Sequence, residues 1–332
     1  MTELYDGFGR HIDYLRISVT DRCNLRCVYC MPPEGVPWQP HVDMLSYEEI
    51  VRVVTVAAEL GIRKVRLTGG EPLVRRDVTA LVRAIARIPG IDDISLTTNG
   101  VLLDKLAAPL AEAGLTRANV SLDTLDPDKF RRLTRLGDID RVWRGLKVAE
   151  RAGLAPIKIN AVIVRGVNDD ELIDLARLTI DRPWHVRFIE LMPVGNEGEW
   201  GAGFPAAPDR YCSINEMLDR LAPLSLIRAE QPIGNGPART YHIPGAQGTV
   251  GFISPLGDHF CATCNRLRLT ADGRLRSCLL HDVEVPVREA LRGDDQIAPL
   301  IEQAVALKPR SHALLMADAS VPQDRMMCQI GG

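Results

Sequence analysis

Six strand-like runs, each followed by helical sequence, constrain the fold of this 332-residue chain more than any other feature. The runs occupy residues 14–20, 64–67, 94–97, 117–122, 157–164 and 185–191. Strands joined by helices favour a parallel sheet with right-handed crossovers. Because about eight such units close a full barrel, we expect an α/β fold with an open, TIM-like partial (βα)6 barrel.

The pattern changes after the sixth unit, where residues 195–208 are rich in Gly and Pro and predict a loop. Beyond this loop we expect a helix from Ser213 to Leu221, strand-like pieces at residues 239–243, 248–253 and 267–269, and a second helical stretch at residues 287–307. We therefore predict that residues 1–212 form the barrel and that residues 213–332 form a smaller C-terminal α+β domain.

Three polar residues mark expected helix starts. Ser46 and Ser213 are each followed three residues later by Glu, which is the pattern of a capping box. Asp77 precedes an apolar stretch and is a candidate N-cap. Helices are therefore predicted to begin at these three positions.

Three cysteines, Cys23, Cys27 and Cys30, lie in the loop that follows the first strand. Three thiolates suit an iron–sulfur cube, because each binds one iron and the fourth iron stays open to a small molecule. Structural zinc is the alternative, but it takes four ligands and would need a distant fourth one. The spacing therefore favours a catalytic iron–sulfur cluster.

A second cysteine group consists of Cys261, Cys264 and Cys278. A further three-cysteine iron–sulfur site is the favoured interpretation. A zinc site completed by His259 and His281 is the strongest alternative. Either interpretation makes this group a metal site in the C-terminal part of the chain.

Composition and charge favour a globular protein of the cytoplasm. The formal net charge is −3, which argues against general attraction to nucleic acid or membranes. No apolar run approaches the ~20 residues of a membrane span, and the N-terminus lacks a signal-peptide core. Clustered thiols in a long chain indicate metal binding, whereas the isolated Cys212 and Cys328 are interpreted as structural thiols without a metal role.

The first cysteine motif, with Tyr29 before its last cysteine, resembles the signature of the radical S-adenosylmethionine (SAM) superfamily. Residues 68–72 resemble the glycine-rich segment of that superfamily, which meets the SAM amino group. The chain is also similar to the GTP 3′,8-cyclase family, which performs the first step of molybdenum cofactor biosynthesis. The segments that carry this resemblance are DGFGR, VRLTGGEPLVRRD, LTTNG, NVSLDTLD, RFIELMPVG, GPAR, FCATCNRLRLT and the terminal Gly-Gly.

The resemblance implies two 4Fe-4S clusters, with Cys23, Cys27 and Cys30 holding the one that cleaves SAM. The residues expected to contact SAM, largely through the backbone, are Tyr29, Gly70, Ser121 and Met192. The resulting 5′-deoxyadenosyl radical would abstract H3′ of GTP, after which C3′ attacks C8. The second cluster, held by the other three cysteines, would anchor the guanine.

The resemblance also implies a GTP site. The residues carried over to it are Arg16, Arg66, Thr97, Lys158, Arg266, the backbone of Leu267, and Arg268, with Arg187 as a weaker candidate. Guanidinium groups bind phosphate oxygens in pairs, which suits a triphosphate. Arg266 and Arg268 share one face of an extended run because side chains alternate along a strand.

Further expectations concern partners and alternatives. The family implies a downstream cyclic pyranopterin monophosphate synthase and an unidentified reductant protein, and a homodimer is one candidate assembly. The Gly331–Gly332 tail either enters the active site or is a disordered end. The competing functions are another radical SAM enzyme with an auxiliary cluster, acting on a peptide, and a nonenzymatic zinc or iron–sulfur scaffold.

Overall fold

The computed structural model of the chain describes residues 3–37, 39–194, 200–229, 236–257, 260–293, 296–312 and 325–331. Its centre is a run of six parallel strands that pair in chain order. These strands are β1 (Tyr14–Ser18), β2 (Lys64–Thr68), β3 (Asp93–Thr98), β4 (Arg117–Ser121), β5 (Lys158–Ile163) and β6 (His185–Glu190). The predicted six-stranded parallel sheet is confirmed.

Helices connect these strands. They are α1 (Tyr47–Glu59), α2 (Val78–Ile85), α3 (Leu103–Glu112), α4 (Pro127–Thr134), α5 (Ile139–Arg151) and α6 (Leu172–Arg177). The apolar side chains of the inner strands are fully buried, as at Leu15 and Ile17, and α1 contributes Ile50 and Val53 to the same core. Leu15 and Ile17 are two residues apart and share one face of β1, so this is the face of the sheet that the helices cover.

The C-terminal part of the chain extends this sheet at both edges. Its elements are α7 (Ile214–Arg220), β7 (Ile227–Arg228), β8 (Arg239–His242), β9 (Thr249–Ile253), β10 (Arg266–Leu269), β11 (Arg274–Arg276), β12 (Glu284–Pro286), α8 (Arg288–Arg292), α9 (Ala298–Ala306) and α10 (Met327–Ile330). β10 runs parallel to β1, and β9 runs parallel to β6. Among the described residues the sheet therefore has twelve strands. The predicted domain boundary after residue 212 stays a prediction.

The predicted helix starts are only partly confirmed. Ser46 and Ser213 both form complete capping boxes with the glutamates three residues later. Asp77 occupies the N-cap position of α2 in a left-handed conformation, with φ of 56°, and its side chain makes no capping hydrogen bond. The prediction of a side-chain cap there is wrong, because the backbone at Asp77 is not in the extended region typical of a capping residue.

The helix predicted over residues 287–307 is divided in the structure. α8 ends at Arg292, and Gly293 is extended with φ of −95° and ψ of −168°. Glycine leaves a helix at little cost, so this break outweighs the apolar periodicity on either side of it. Among the described residues, no helix is long and apolar enough to cross a bilayer.

Candidate active site

One cavity collects side chains from β1 to β6 and also from β9 and β10. Its lining includes all six cysteines of the two predicted groups, and every one of them is a free thiol. The second cysteine group reaches this cavity because β10 pairs directly with β1, although more than 200 residues separate them in the chain. The two predicted metal sites therefore face a common space.

The first cysteine loop is held against the end of α4 by backbone hydrogen bonds. The amide of Arg26 donates to the Thr134 oxygen and the amide of Val28 donates to the Leu133 oxygen, each at 2.9 Å. The amide of Leu25 points at the Cys23 sulfur, at 3.3 Å. The loop therefore has a defined shape built from its own backbone.

The positive charges near this loop, at Arg26 and Arg135, do not offset the burial of its thiols. Burial raises the pKa of Cys23 to about 12 and that of Cys27 well above its ordinary value. A hydrogen bond with Cys328, followed by burial, raises the pKa of Cys30. Because metal binding requires thiolates, a group carrying several positive irons fits this donor set.

The described residues contain no group of three or more His, Cys, Asp or Glu side chains arranged around a single metal ion. An iron–sulfur cube binds each thiolate to a separate iron, so its ligands need not converge on one point. His281, a proposed zinc ligand, is not among the residues lining the cavity, and His259 lies outside the described residues. The cysteines of both groups therefore fit a cube.

The glycine-rich segment after β2 lies directly against the first cysteine loop. The amide of Gly70 donates to the Thr20 oxygen at 2.7 Å. Gly69 has φ of 151°, and a Cβ atom there would lie 2.5 Å from the same oxygen. A Cβ atom at Gly70 would collide with the carbonyl of Arg22. Only glycine permits this close approach at both positions.

Glu71 ties the next loop to the same region. Its carboxylate accepts from the amide of Leu73 at 3.0 Å, from the hydroxyl of Thr98 at 2.8 Å and from the amide of Asn99 at 2.7 Å. Asn99 in turn donates to the side chain of Asn24 in the cysteine loop, at 2.8 Å. Burial raises the pKa of Glu71 to about 7. Glu71 therefore orders three loops around the first cysteine group.

The four residues predicted to contact SAM all line the cavity. The hydroxyl of Tyr29 donates to Asp123 at 2.7 Å, which leaves its backbone as the part available to a ligand. Met192 packs in a small apolar cluster with Cys278 of the second cysteine group. These positions agree with the expected contacts, which remain predictions.

Lys308, which the sequence did not single out, supports the second cysteine group. Its buried ammonium donates to the carbonyl oxygens of Arg266 at 2.8 Å and Ser277 at 2.7 Å, which join the segments carrying Cys264 and Cys278. Burial opposes ionisation of Cys264, but the nearby Lys308 and Arg266 outweigh it and lower the pKa to about 7. At Cys264, unlike at Cys23 and Cys27, the effect of the nearby cations on the pKa exceeds that of burial.

Strand register places three arginines side by side. Arg16 pairs with Arg66 across β1 and β2, and with Arg268 across β1 and β10. Arg187 and Arg266 also line the cavity, and all except Arg16 are at most 8% exposed. Among the described residues, none of these five forms an ion pair. We call them the arginine floor.

The arginine floor is electrostatically unfavourable without a ligand. Burial, together with repulsion from neighbouring guanidinium groups, lowers the pKa of Arg66 to about 10 and that of Arg187 to about 9. The Nε atoms of Arg16, Arg187 and Arg266 are buried and have no hydrogen-bond partner in the part of the chain that the structure describes. Buried charges of one sign require a counter-charge, so this surface is suited to a polyanion.

The remaining predicted GTP residues occupy different positions. Thr97 lines the cavity, and no described residue forms a hydrogen bond with its buried hydroxyl. Lys158 and Leu267 are not among the lining residues. Lys158 is buried at the start of β5, on the same face as the lining residues Asn160 and Val162. Leu267 is buried in β10, opposite Leu15, and only its backbone could reach a ligand.

The C-terminal segment enters the same cavity. The Arg268 guanidinium donates to the carbonyl oxygens of Gly331 and, at 3.4 Å, Ile330. Gly332 lies outside the described residues. Cys328, interpreted from the sequence as a structural thiol, lines the cavity beside Cys30. No local pattern could have predicted this position, because it depends on where α10 packs.

Comparison with known proteins agrees with this geometry. Residues 17–179 match the Radical SAM superfamily, and residues 184–314 match the Molybdenum Cofactor Synthesis C family. SuiB from Streptococcus suis shares the fold, with a TM-score of 0.59 and 17% identity over 86% of this chain and 65% of SuiB. SuiB bound to SAM gives a TM-score of 0.57, with 18% identity over 85% and 64% of the two chains.

Full-length relatives are much closer in sequence. The GTP 3′,8-cyclase of Pelotomaculum thermopropionicum is 52% identical over 99% of this chain and 100% of its own length. The GTP 3′,8-cyclase of Moorella thermoacetica is 49% identical with the same coverage. On the strength of this identity across both halves, the chain belongs to the GTP 3′,8-cyclase family of the radical SAM superfamily.

Proposed function

We propose that this chain converts GTP to (8S)-3′,8-cyclo-7,8-dihydroguanosine 5′-triphosphate, the first step of molybdenum cofactor biosynthesis. The observation that carries this proposal is the shared cavity, which brings together two three-cysteine groups and the arginine floor. A peptide-modifying enzyme would have no use for several cavity arginines that form no ion pair with any residue the structure describes. A structural scaffold would need neither the cavity nor the arginines.

The cysteines would hold two 4Fe-4S clusters, one at Cys23, Cys27 and Cys30 and the other at Cys261, Cys264 and Cys278. When bound, the first cluster and SAM supply a carbon radical able to remove the hydrogen at C3′ of GTP. The protein's own contribution is to hold the nucleotide in the right place and to exclude water.

The arginine floor would bind the triphosphate. Four of its five guanidinium groups project from the adjacent strands β10, β1 and β2, and Arg187 projects from β6 of the same sheet, so the sheet itself fixes their spacing. A rigid arrangement of this kind binds an anion without first having to order its donors. Binding would also relieve the mutual repulsion of the arginines.

Arg268→Ala is expected to weaken GTP binding about 30-fold, because it removes charge-assisted hydrogen bonds to phosphate. The affinity for guanosine, which has no phosphate, should fall by less than about threefold. Calorimetric titration of the anaerobic protein with both ligands measures this difference. Arg76→Ala, at a residue whose side chain is 95% exposed, is the matched control. Equal losses of affinity for GTP and for guanosine would show that Arg268 does not belong to the phosphate site.

GTP binding at pH 8 is expected to take up about one proton at Lys158. Burial, followed by repulsion from Arg187, lowers the pKa of Lys158 to about 7, so the ligand-free amine is mostly neutral at pH 8. A nearby polyanion restores the charge and raises the pKa, whereas at pH 6 the amine is already protonated. Titration in Tris and in HEPES measures the uptake, which Lys158→Met should remove. Identical proton uptake in this variant would contradict the prediction.

The test of the function itself is anaerobic incubation of the reconstituted protein with SAM, GTP and dithionite. We expect 5′-deoxyadenosine and a cyclised isomer of GTP by mass analysis, from protein holding about eight irons per chain. Stoichiometric zinc without iron–sulfur absorbance, or 5′-deoxyadenosine formed without any nucleotide product, would defeat the proposal.

The proposal also covers the location of the enzyme, its partner proteins and its assembly. Six clustered free thiols and two oxygen-sensitive clusters support a cytoplasmic location. A downstream cyclic pyranopterin monophosphate synthase would consume the product, and a separate protein would supply electrons. A homodimer is the proposed assembly, which size-exclusion chromatography with light scattering would test.

A further inference from the structure

Tyr14 lies within the arginine floor but was not among the predicted site residues. It begins β1, lines the cavity and is only 2% exposed. The guanidinium carbons of Arg16 and Arg66 lie 5.8 Å and 5.4 Å from the centre of its ring. Register also places Tyr14 opposite Arg266 on β10. The ring therefore packs among three of the five arginines.

The hydroxyl of Tyr14 has no hydrogen-bond partner among the described residues. The Ser95 hydroxyl approaches the phenol oxygen and, as a hydrogen-bond donor to it, helps to lower the pKa of Tyr14, but it offers no acceptor to the Tyr14 O–H, since it already accepts from Arg66 at 3.1 Å and its own proton is also directed at the Val65 oxygen at 3.4 Å. A buried hydroxyl without a partner is costly, and native proteins usually avoid it. The free donor at Tyr14 therefore needs an explanation.

A phenol suits this position better than another cation. The floor already carries five guanidinium groups, and a sixth charge would add repulsion. A neutral hydroxyl offers one more donor at no cost in charge, while the ring makes favourable contacts with the cations on its face. Burial raises the pKa of Tyr14, but Arg66, Arg16 and Arg266 outweigh it and lower the pKa overall, which makes the hydroxyl a stronger donor.

We propose that Tyr14 is a substrate-binding residue whose hydroxyl donates a hydrogen bond to a phosphate oxygen of the bound nucleoside triphosphate, an inference that rests on the proposed function. In the ligand-free protein the Tyr14 hydroxyl has no acceptor among the described residues, and the bound phosphate supplies one. Tyr14 thus serves the triphosphate in two ways: its ring spaces Arg16 and Arg66, and its hydroxyl adds a direct contact.

This role predicts that removal of the Tyr14 hydroxyl weakens GTP binding without lowering the stability of the protein. Tyr14→Phe keeps the ring and removes only the unsatisfied hydroxyl, so the melting temperature of the GTP-free protein should not fall. GTP affinity should fall about 10-fold, because the lost bond is one to a charged acceptor. Guanosine affinity should stay within about twofold. A residue with a merely structural role would lower stability and would weaken both ligands together.

Calorimetric titration and thermal denaturation of the anaerobic protein test this inference, with Tyr47→Phe as the control. The hydroxyl of Tyr47 donates to the Arg76 oxygen at 2.7 Å, and Tyr47 does not line the cavity. Tyr14→Leu, which also removes the ring, should weaken GTP binding further than Tyr14→Phe.

Arg268→Ala, measured in parallel, separates the two proposals. Lost GTP affinity in Arg268→Ala with unchanged affinity in Tyr14→Phe would overturn the role of Tyr14 and keep the phosphate site. Unchanged affinity in both variants would overturn the phosphate site itself. A fall in melting temperature for Tyr14→Phe, with equal losses for GTP and guanosine, would assign Tyr14 a structural role.

Discussion

Cys27→Ala is expected to abolish formation of 5′-deoxyadenosine by the reconstituted protein, a loss of at least about a thousandfold. Cys27 is one of only three thiols in its loop, and two thiolates cannot hold a cube that keeps an open iron. Iron content should fall from about eight to about four per chain, because the second group is intact. Liquid chromatography with mass detection and an iron assay measure both quantities.

The control for this experiment is Cys212→Ala. Cys212 is a fully buried free thiol that does not line the cavity, so its variant tests the loss of a cysteine without the loss of a ligand. Iron content and 5′-deoxyadenosine formation should match those of the unmodified protein. Cleavage of SAM by Cys27→Ala above the rate without protein would contradict the assignment of the first cluster.

Cys264→Ala is expected to lose the nucleotide product almost completely while keeping slow cleavage of SAM. Cys264 belongs to the second group, whose segments are joined by Lys308 rather than by the first loop. The first loop is held by the end of α4 and by the segment after β2, and the substitution changes neither. The two activities should therefore separate, as quantified by 5′-deoxyadenosine and cyclised GTP in one reaction.

Cys27→Ala, measured in the same assays, is the comparison that tests the separate roles of the two cysteine groups. If both variants lost SAM cleavage and nucleotide turnover equally, the division of labour between the two cysteine groups would be wrong. Guanosine binding adds an independent measurement, because an anchor for the guanine base should be lost in Cys264→Ala and retained in Cys27→Ala.

Local sequence was sufficient to predict most elements of the barrel. The six strands were located within a few residues, since each is a short apolar run bounded by turn residues. The capping boxes at Ser46 and Ser213 were also predicted, because each depends on only four consecutive residues. Two predictions were wrong because the local backbone conformation differs from the expected one. Asp77 is left-handed and its side chain does not cap α2, and the extended Gly293 ends the helix predicted over residues 287–307.

Spacing also identified the metal ligands, but not their surroundings. Cysteine is a ligand by its own chemistry, and three within eight residues can act together in almost any fold. Tyr14, Cys328 and Lys308 carry no such signal, because tyrosine, cysteine and lysine occur for many reasons. Their importance follows only from what lies beside them: two guanidinium groups, another thiol, and two carbonyl groups.

The sequence by itself determined the alternation of strands and helices, the two three-cysteine groups and the family to which they belong. Only the tertiary structure decided that β10 pairs with β1, which aligns Arg268 with Arg16 and brings the second cysteine group to the first. Propensity and spacing act over a few residues, whereas this pairing joins segments about 250 residues apart, and its register depends on which side chains the whole sheet can bury.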